Sequence, residues 1–369
     1  MENRNIIFLD CTSDKNHETI KNKAVGASEY QFYQLVEQMS KNNHHPIFCY
    51  NLCDEGSSFN NINIHYKSQK KELDDYRFHD NCRIIVQRFY PWEEHIKSKL
   101  DNQHIFFWIH DLPDYMVFVG RNDDLIHFYS REREKYRQYL LDNFVNKKNI
   151  TFILNSHHCK NLIIDYLKSF GLEIEDHRMK VIYNILYEDE LRSTYEKQIP
   201  VQKNKIVYAS AWTKGIEDII RLFEYIHSKN PHFVLELMNP GYGMENYVHL
   251  KQDLIKRFPN NIKIHEALSK KQYGEVIKSA LCVLSSKFNE TFGCVFAESY
   301  YLGTPVIADF RSGAVKEIID NNFVVNYDDP NEVFSKINFL VENRDHKKIF
   351  LSKKFALDNV FHIWKHTLQ

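Results

Sequence analysis

"SSKFNETFGCVFAESYYLGTPVIADFRSGAVKEII", residues 285–319, decides how the second half of the chain is read. The run "CVLSS" that leads into it is apolar and partly β-branched, the pattern of a buried strand. Gly303-Thr304-Pro305 stops a short helix, with glycine just past its end and proline beyond. "VIAD" then resumes as a strand. The unit is strand, loop, short helix, strand, with Glu290 in the loop and Glu298 inside the helix. At about 3.6 residues per turn the two acids do not share a helical face. They address different parts of one elongated ligand lying across the helix N-terminus. Unpaired N–H groups and partial positive charge make that terminus a seat for phosphate, and Gly293 lets the backbone approach closely.

The chain has 369 residues, enough for two ordinary domains, and is 43% hydrophobic. A formal net charge of -1 gives no reason to expect nucleic acid or an anionic membrane as the main partner. Seven cysteines are widely scattered, without a Cys-x-x-Cys pair, which points to reduced thiols and away from structural zinc. The opening "MENRNIIFLD" carries too short an apolar run for a signal peptide, and no window reaches the length of a membrane span. A soluble, cytoplasmic protein is expected.

Outward from the central stretch, apolar runs alternate with helical-period segments, the signature of parallel α/β sheets. "IIFLD", "PIFCYNL", "INIHY", "RIIVQ", "HIFFWIH" and "NITFILNS" read as strands of a first half that "KVIYNI" closes. "GASEYQFYQLVEQMSKNNHH" reads as a helix, with Phe32, Leu35, Val36 and Met39 on one face. Residues 129–148 read as one charged amphipathic helix with a solvated face, and "KNLIIDYLKSFG" as a helix stopped by Gly171. Residues 187–204 lack a strong apolar pattern and read as a linker. "KIVYASA", "FVLELMNPGYG" and "NIKIHEAL" repeat the strand logic in the second half, each followed by a helix. Two doubly wound domains facing one central cleft are expected, with ligands at the carboxyl ends of the strands.

These segments resemble the retaining GT-B glycosyltransferases of the "glycosyl transferases group one" type. "NETFGCVFAE" resembles that family's Glu-x7-Glu motif, and "LGTPVIADFRSGAVKEII" its Gly-x-Pro-Val-Ile segment, with Ser312-Gly313 where two glycines are usual. "VGAS" resembles the N-terminal glycine loop, "FFWIHDLPD" a strand end carrying a histidine, "VIYNILYEDEL" the segment leading into the linker, and "ASAWTKGIEDII" the segment with the diphosphate-binding basic pair. The likeness covers most of the chain and is strongest in the C-terminal half.

The resemblance implies a GT-B fold. An acceptor-side domain would span 1–186, a linker 187–204 and a nucleotide-sugar-binding domain 205–345, with the helices of 346–369 packing back on the first domain. It implies transfer of a sugar from a UDP- or GDP-sugar to a glycan, lipid-linked or small-molecule acceptor, with no cofactor and no essential metal. Glu290 would contact the donor sugar, Glu298 the ribose hydroxyls and Lys214 the diphosphate. Ser210, Thr213, Phe292, Gly293, Cys294, Gly26 and Ala27 would line the donor, and His110 would approach its sugar. No nucleic acid partner or transmembrane segment is implied, though peripheral membrane contact is compatible with the pattern.

One departure stands out. The family's arginine, about five residues before the lysine, is replaced by Tyr208-Ala209-Ser210-Ala211-Trp212. Arg311 and Lys287 are the nearest substitutes in motif terms. A nucleotide-sugar-binding protein without turnover, or another GT-B enzyme such as a sugar-nucleotide epimerase, are the rival readings. At single positions two readings stay open: Ser210 and Thr213 either cap a helix or donate to phosphate, and His110 is either a core histidine or a cleft residue. The tandem His44-His45 and His157-His158 lack companion ligands and read as a turn and a helix start.

Overall fold

A computed structural model describes residues 6–10, 27–42, 47–51, 57–59, 64–68, 82–90, 97–98, 100–120, 122–186, 188–238, 245–344 and 353–369. Two compact units emerge. The first comprises residues up to Ile185 together with Asp358–Gln369, apart from the short piece 23–26; the second comprises Leu186–Leu357 and that piece.

The first unit is built on β1 (Ile6–Asp10), β2 (Ile47–Asn51), β3 (Ser57–Phe59), β4 (Ile64–Ser68), β5 (Arg83–Gln87), β6 (His104–Ile109), β7 (Ile150–Leu154) and β8 (Met179–Val181). Their order in the sheet is β3-β4-β2-β1-β5-β6-β7-β8. All pairings are parallel except that of the short β3 with β4, an antiparallel edge strand that the period-2 pattern did not announce. The central strands are buried along their length, as parallel strands covered on both faces must be. The expected first helix forms as Ala27–Asn42 and buries Phe32, Leu35, Val36 and Met39.

The second unit carries β9 (Gln202–Tyr208), β10 (Val234–Leu237), β11 (Ile262–Ile264), β12 (Ala280–Leu284), β13 (Val306–Asp309) and β14 (Val324–Val325), ordered β11-β10-β9-β12-β13-β14 and parallel throughout. Strand order reverses between β9 and β12 here, and between β1 and β5 in the first sheet. Chains leaving the carboxyl ends of those neighbouring strands diverge to opposite faces and open a crevice for ligand. Each sheet thus has the doubly wound architecture expected from the sequence.

Three segments differ from the sequence reading. The stretch 187–204, read as a linker, contains the helix Glu188–Glu196 and the first residues of β9. Among its described side chains that helix buries only Leu191 and Thr194, too few positions to give an apolar rhythm. It packs where Gly274 leaves no room: a Cβ there would lie 3.2 Å from Leu191 Cδ2. The single helix read over 129–148 is instead Asp123–Arg131 and Arg133–Leu140, broken at Glu132, followed by one wider turn at Leu141–Val145. Asn122 caps the first piece by accepting from the Leu125 amide at 2.9 Å, so the helix starts earlier than its charge pattern suggests. Finally, "KVIYNI" (180–185) contributes only Lys180 and Val181 to β8, which begins one residue earlier at Met179. Among the described residues no helix is long and apolar enough to cross a membrane.

The last helix, Leu357–Thr367, seats Trp364 edge-on to Trp108 of β6, ring centroids 4.9 Å apart. Arg83 Nε donates to the Leu368 carbonyl at 3.2 Å, fastening the end of the chain to the start of β5. Trp364→Ala should therefore destabilise the first unit by about 3–5 kcal/mol, the scale of a buried large-to-small change. Its neighbour Ile363, 39% exposed, should cost within about 0.5 kcal/mol when replaced by alanine. Chemical unfolding of the two variants checks the contrast; equal losses would mean that the tryptophan contact does not hold this helix.

Candidate functional site

The loop after β12 and the turn after β9 meet at the strand-order reversal of the second sheet. Leu284 pairs with Tyr208, so both chains leave the sheet side by side. After β9, Trp212–Lys214 forms a single tight turn, and Gly215 takes a left-handed φ of 94° before the helix Ile216–Lys229 begins. Ser286 Oγ donates to the Lys214 carbonyl and ties the two segments together. The side chains then converge: Lys214 Nζ donates to Glu290 Oε1 at 2.6 Å and lies 5.0 Å from the centre of the Phe288 ring.

The backbone of Glu290 is gripped from the other side. Ala314 N–H donates to its carbonyl at 3.0 Å. Gly313, with φ at 67°, passes so near that a Cβ would lie 2.6 Å from the Glu290 amide nitrogen and closer still to its carbonyl oxygen. Only glycine satisfies both conditions. Ser312 needs no such freedom, and its hydroxyl instead donates to the Ser286 carbonyl.

The short helix forms as Cys294–Tyr301 and enters from Gly293 at φ 82°. A Cβ at Gly293 would strike the Phe296 ring at 2.5 Å, a second reason for glycine beside backbone access. Glu298, only 2% exposed, accepts from Lys270 Nζ at 2.6 Å. A buried carboxylate needs such a partner, because desolvating an unpaired charge is costly. Each acid of the Glu-x7-Glu pair is thus matched to its own lysine.

The other expected site residues divide. The capping reading of Ser210 and Thr213 is overturned, since the helix Ile216–Lys229 is entered from Gly215 with no side-chain cap. Phe292 is buried with its ring 5.8 Å from that of Phe355, which leaves its backbone as the part able to face a ligand. Cys294 is half-buried in the first turn of the helix. Ala27 is exposed at the start of the first helix of the other unit, and Gly26 lies outside the described residues. Arg311 and Lys287 do not stand open. Arg311 is forked onto Asp309, at 2.6 and 2.8 Å, and reaches Asp328 at 2.7 Å. Lys287 is paired with Asp328 and lies 3.7 Å from Asp218.

In the first unit, His110 follows β6 and is 8% exposed, its ring centre 4.4 Å from that of Trp108. Beside it sits Arg88, which sequence reasoning missed. It is the one non-glycine residue with positive φ among those described, at 68°. Its amide donates to the Trp108 carbonyl at 2.7 Å, and its guanidinium donates to Asp111 at 2.6 Å and lies 4.0 Å from Glu29. No motif marks a left-handed arginine. Lys270, also missed, had a legible neighbour in the Ser269–Gln272 capping box that starts its helix. Among the described residues no group of three or more His, Cys, Asp or Glu side chains could hold a metal.

Burial, with the Arg88 charge adding to it, lowers the His110 imidazole to about 3, so the ring is neutral at ordinary pH. In the unfolded chain the ring titrates near 6.5. Between these values the unfolded chain binds the extra proton. His110 therefore contributes stability that is fully present above about pH 6.5 and is lost as pH falls towards 3, at up to about 1.4 kcal/mol per unit. Urea unfolding at a series of pH values should show a flatter acid decline for His110→Leu than for wild type; parallel declines would contradict a neutral buried ring.

Residues 192–354 match the family model of glycosyl transferases group 1. The chain matches no curated protein sequence. Among solved structures it is similar to a glycosyltransferase from Rickettsia africae, with a TM-score of 0.70 and 14% identity over 99% of this chain and 98% of that one. It is also similar to HepE of Anabaena in complex with UDP and glucose, with a TM-score of 0.64 and 15% identity over 99% of both chains. Sucrose-phosphate synthase from Thermosynechococcus elongatus gives a TM-score of 0.66 at 12% identity, over 99% of this chain and 98% of that chain. With two parallel doubly wound sheets and this match across residues 192–354, the chain has the GT-B fold and carries the glycosyl transferases group 1 module in its second unit.

Proposed function

We propose that the protein is a retaining glycosyltransferase that moves a sugar from a UDP- or GDP-sugar to a glycan, lipid-linked or small-molecule acceptor. The carrying observation is the pair of acids in the second unit, Glu290 on Lys214 and Glu298 on Lys270, both held at 2.6 Å at the crevice side of a doubly wound sheet. The family match over this unit and the UDP complexes of HepE, a protein of similar fold, support the donor class.

In this reading the nucleotide sugar lies across the second unit. Lys214 leaves Glu290 for the diphosphate, and Glu290 turns to hydroxyls of the donor sugar. Glu298 accepts from the ribose hydroxyls, which suit two carboxylate oxygens. The bond between the anomeric carbon and the diphosphate oxygen breaks, and the acceptor oxygen bonds to that carbon on the same face. The acceptor proton passes to the departing phosphate oxygen, leaving a glycoside and a nucleoside diphosphate. Lys214 and backbone N–H groups, including those opening the helix Cys294–Tyr301, offset the charge that develops on the leaving group. The first unit binds the acceptor, with neutral His110 as a hydrogen-bonding group rather than a cation. The reaction needs no metal, and the location is the cytoplasm.

A second reading, nucleotide-sugar binding without turnover, is favoured by one observation. Arg311 and Lys287, the two cations nearest in motif terms, are both committed to carboxylates. Nucleotide release from a panel of donors decides between the two: the transferase reading expects release that Lys214→Ala abolishes, and a wild type no faster than that variant would sink it.

Two further outcomes follow from the roles assigned. Glu298→Ala should weaken nucleotide binding by about tenfold or more, the scale of a hydrogen bond to a charged group, whereas Glu290→Ala should lower kcat with a smaller effect on nucleotide affinity. Equal affinity losses in titrations of both variants would refute the division. Transfer should also persist in EDTA; loss on chelation with recovery on Mn²⁺ or Mg²⁺ would refute metal independence.

A further inference from the structure

Lys270 opens the helix Lys270–Lys278, immediately after the Ser269 cap, whose hydroxyl accepts from the Gln272 amide while the Gln272 side chain accepts from the Ser269 amide. A cation in a first helical turn is opposed by the helix dipole. Here the opposition is met by a neighbour on another helix: Lys270 Nζ donates to Glu298 Oε1 at 2.6 Å. The same nitrogen lies 4.5 Å from the centre of the Tyr273 ring, one helical turn along, which adds a cation–π contact. The Lys270 side chain is 26% exposed and that of Glu298 only 3%. Of the pair, the lysine is the more exposed to solvent. The Tyr273 phenol is pushed well above its ordinary range, first by burial and then by the Glu298 charge, which places a second polar group beside the same carboxylate.

We propose that Lys270 sets the sugar selectivity of the nucleotide site: by fixing one oxygen of Glu298 it orients the carboxylate to read a ribose diol, so that ribonucleotides are selected over 2′-deoxyribonucleotides. This rests on the assignment of Glu298 to the ribose. Without the lysine, the buried carboxylate loses the cation that holds its charge and its orientation, and a diol that needs both oxygens aligned loses more than a single hydroxyl does. Lys270 is accordingly a positioning residue that acts through Glu298. A purely structural ion pair would instead weaken all nucleotides alike, because it would matter only through the integrity of the fold.

The test is calorimetric titration of wild type, K270M and K270R with UDP, GDP and ADP, followed by the 2′-deoxy counterpart of whichever binds tightest. Wild type should prefer the ribonucleotide by about tenfold or more, the scale of one hydrogen bond to a charged group. K270M should bring that ratio close to one, chiefly by weakening the ribonucleotide, and K270R should keep most of it. K270Q reads the same ratio where K270M does not fold. A K270M protein that retains the wild-type ratio, or that binds both nucleotides more weakly by a common factor, overturns the role of Lys270 and leaves the donor site standing. A wild type that binds none of the three diphosphates overturns the donor-site assignment and the lysine's role together.

Discussion

The acid loop of the second unit depends on one close approach of backbone to backbone. The Ala314 amide donates to the Glu290 carbonyl, and Gly313 passes against the Glu290 peptide where any side chain would collide. Two loops that leave neighbouring strands β12 and β13 are thereby fused into one surface. A loop pinned by its main chain does not depend on its side chain for its position, so the Glu290 carboxylate is left to pair with Lys214. The left-handed φ of Gly313 is part of the same constraint, since a residue with a Cβ would be strained there even if space were available.

From this anchor the rest of the site follows by strand order. Parallel pairing of β9 with β12 brings the turn Trp212–Lys214 beside the acid loop, and the ion pair between Lys214 and Glu290 is its result. Lysine and acid satisfy each other, at side-chain exposures of 34% and 16%. A diphosphate is a stronger anion for the same lysine than one carboxylate. On the proposed reading, donor binding therefore exchanges one charge pair for another, and it releases Glu290 toward hydroxyl groups at the moment a sugar arrives.

Much of this was legible in the sequence, because the signals were local. Strand and helix periodicity, the Gly303-Thr304-Pro305 stop and the spacing of Glu290 and Glu298 all depend on residues a few positions apart, and the doubly wound sheets follow from them. What escaped depends on contacts far apart in the chain. The helix Glu188–Glu196 hides because it buries two side chains on a partner some 80 residues onward, as the 83- and 84-residue separations of the bonds from Lys278 to Tyr195 and Thr194 record. Arg88 gives no local sign of its left-handed backbone, which is held by the Trp108 carbonyl and Asp111 from the next strand. The lysine partners of the two acids come from segments 76 and 28 residues earlier. The cap that Ser210 or Thr213 would have supplied fails for a simpler reason: Gly215 turns the chain into the helix by itself.

The network around Asp328 bears on the missing arginine. Arg311 joins the end of β13 to the turn after β14 through Asp309 and Asp328, and Lys287 brings the start of the acid loop to the same Asp328. Asp309 is fully buried and also accepts from the Tyr327 amide at 2.8 Å, so withdrawing Arg311 to serve a phosphate would strand a buried carboxylate. These cations brace the loops that carry Glu290. On the transferase reading, the leaving diphosphate is then met by Lys214 and by main-chain N–H groups, whose directions are set by the fold and need no reorganisation as charge develops. A site built this way favours the transition state over tight ground-state binding of the donor, because fixed dipoles aimed at a developing charge interact more strongly with it than with the spread charge of the intact diphosphate.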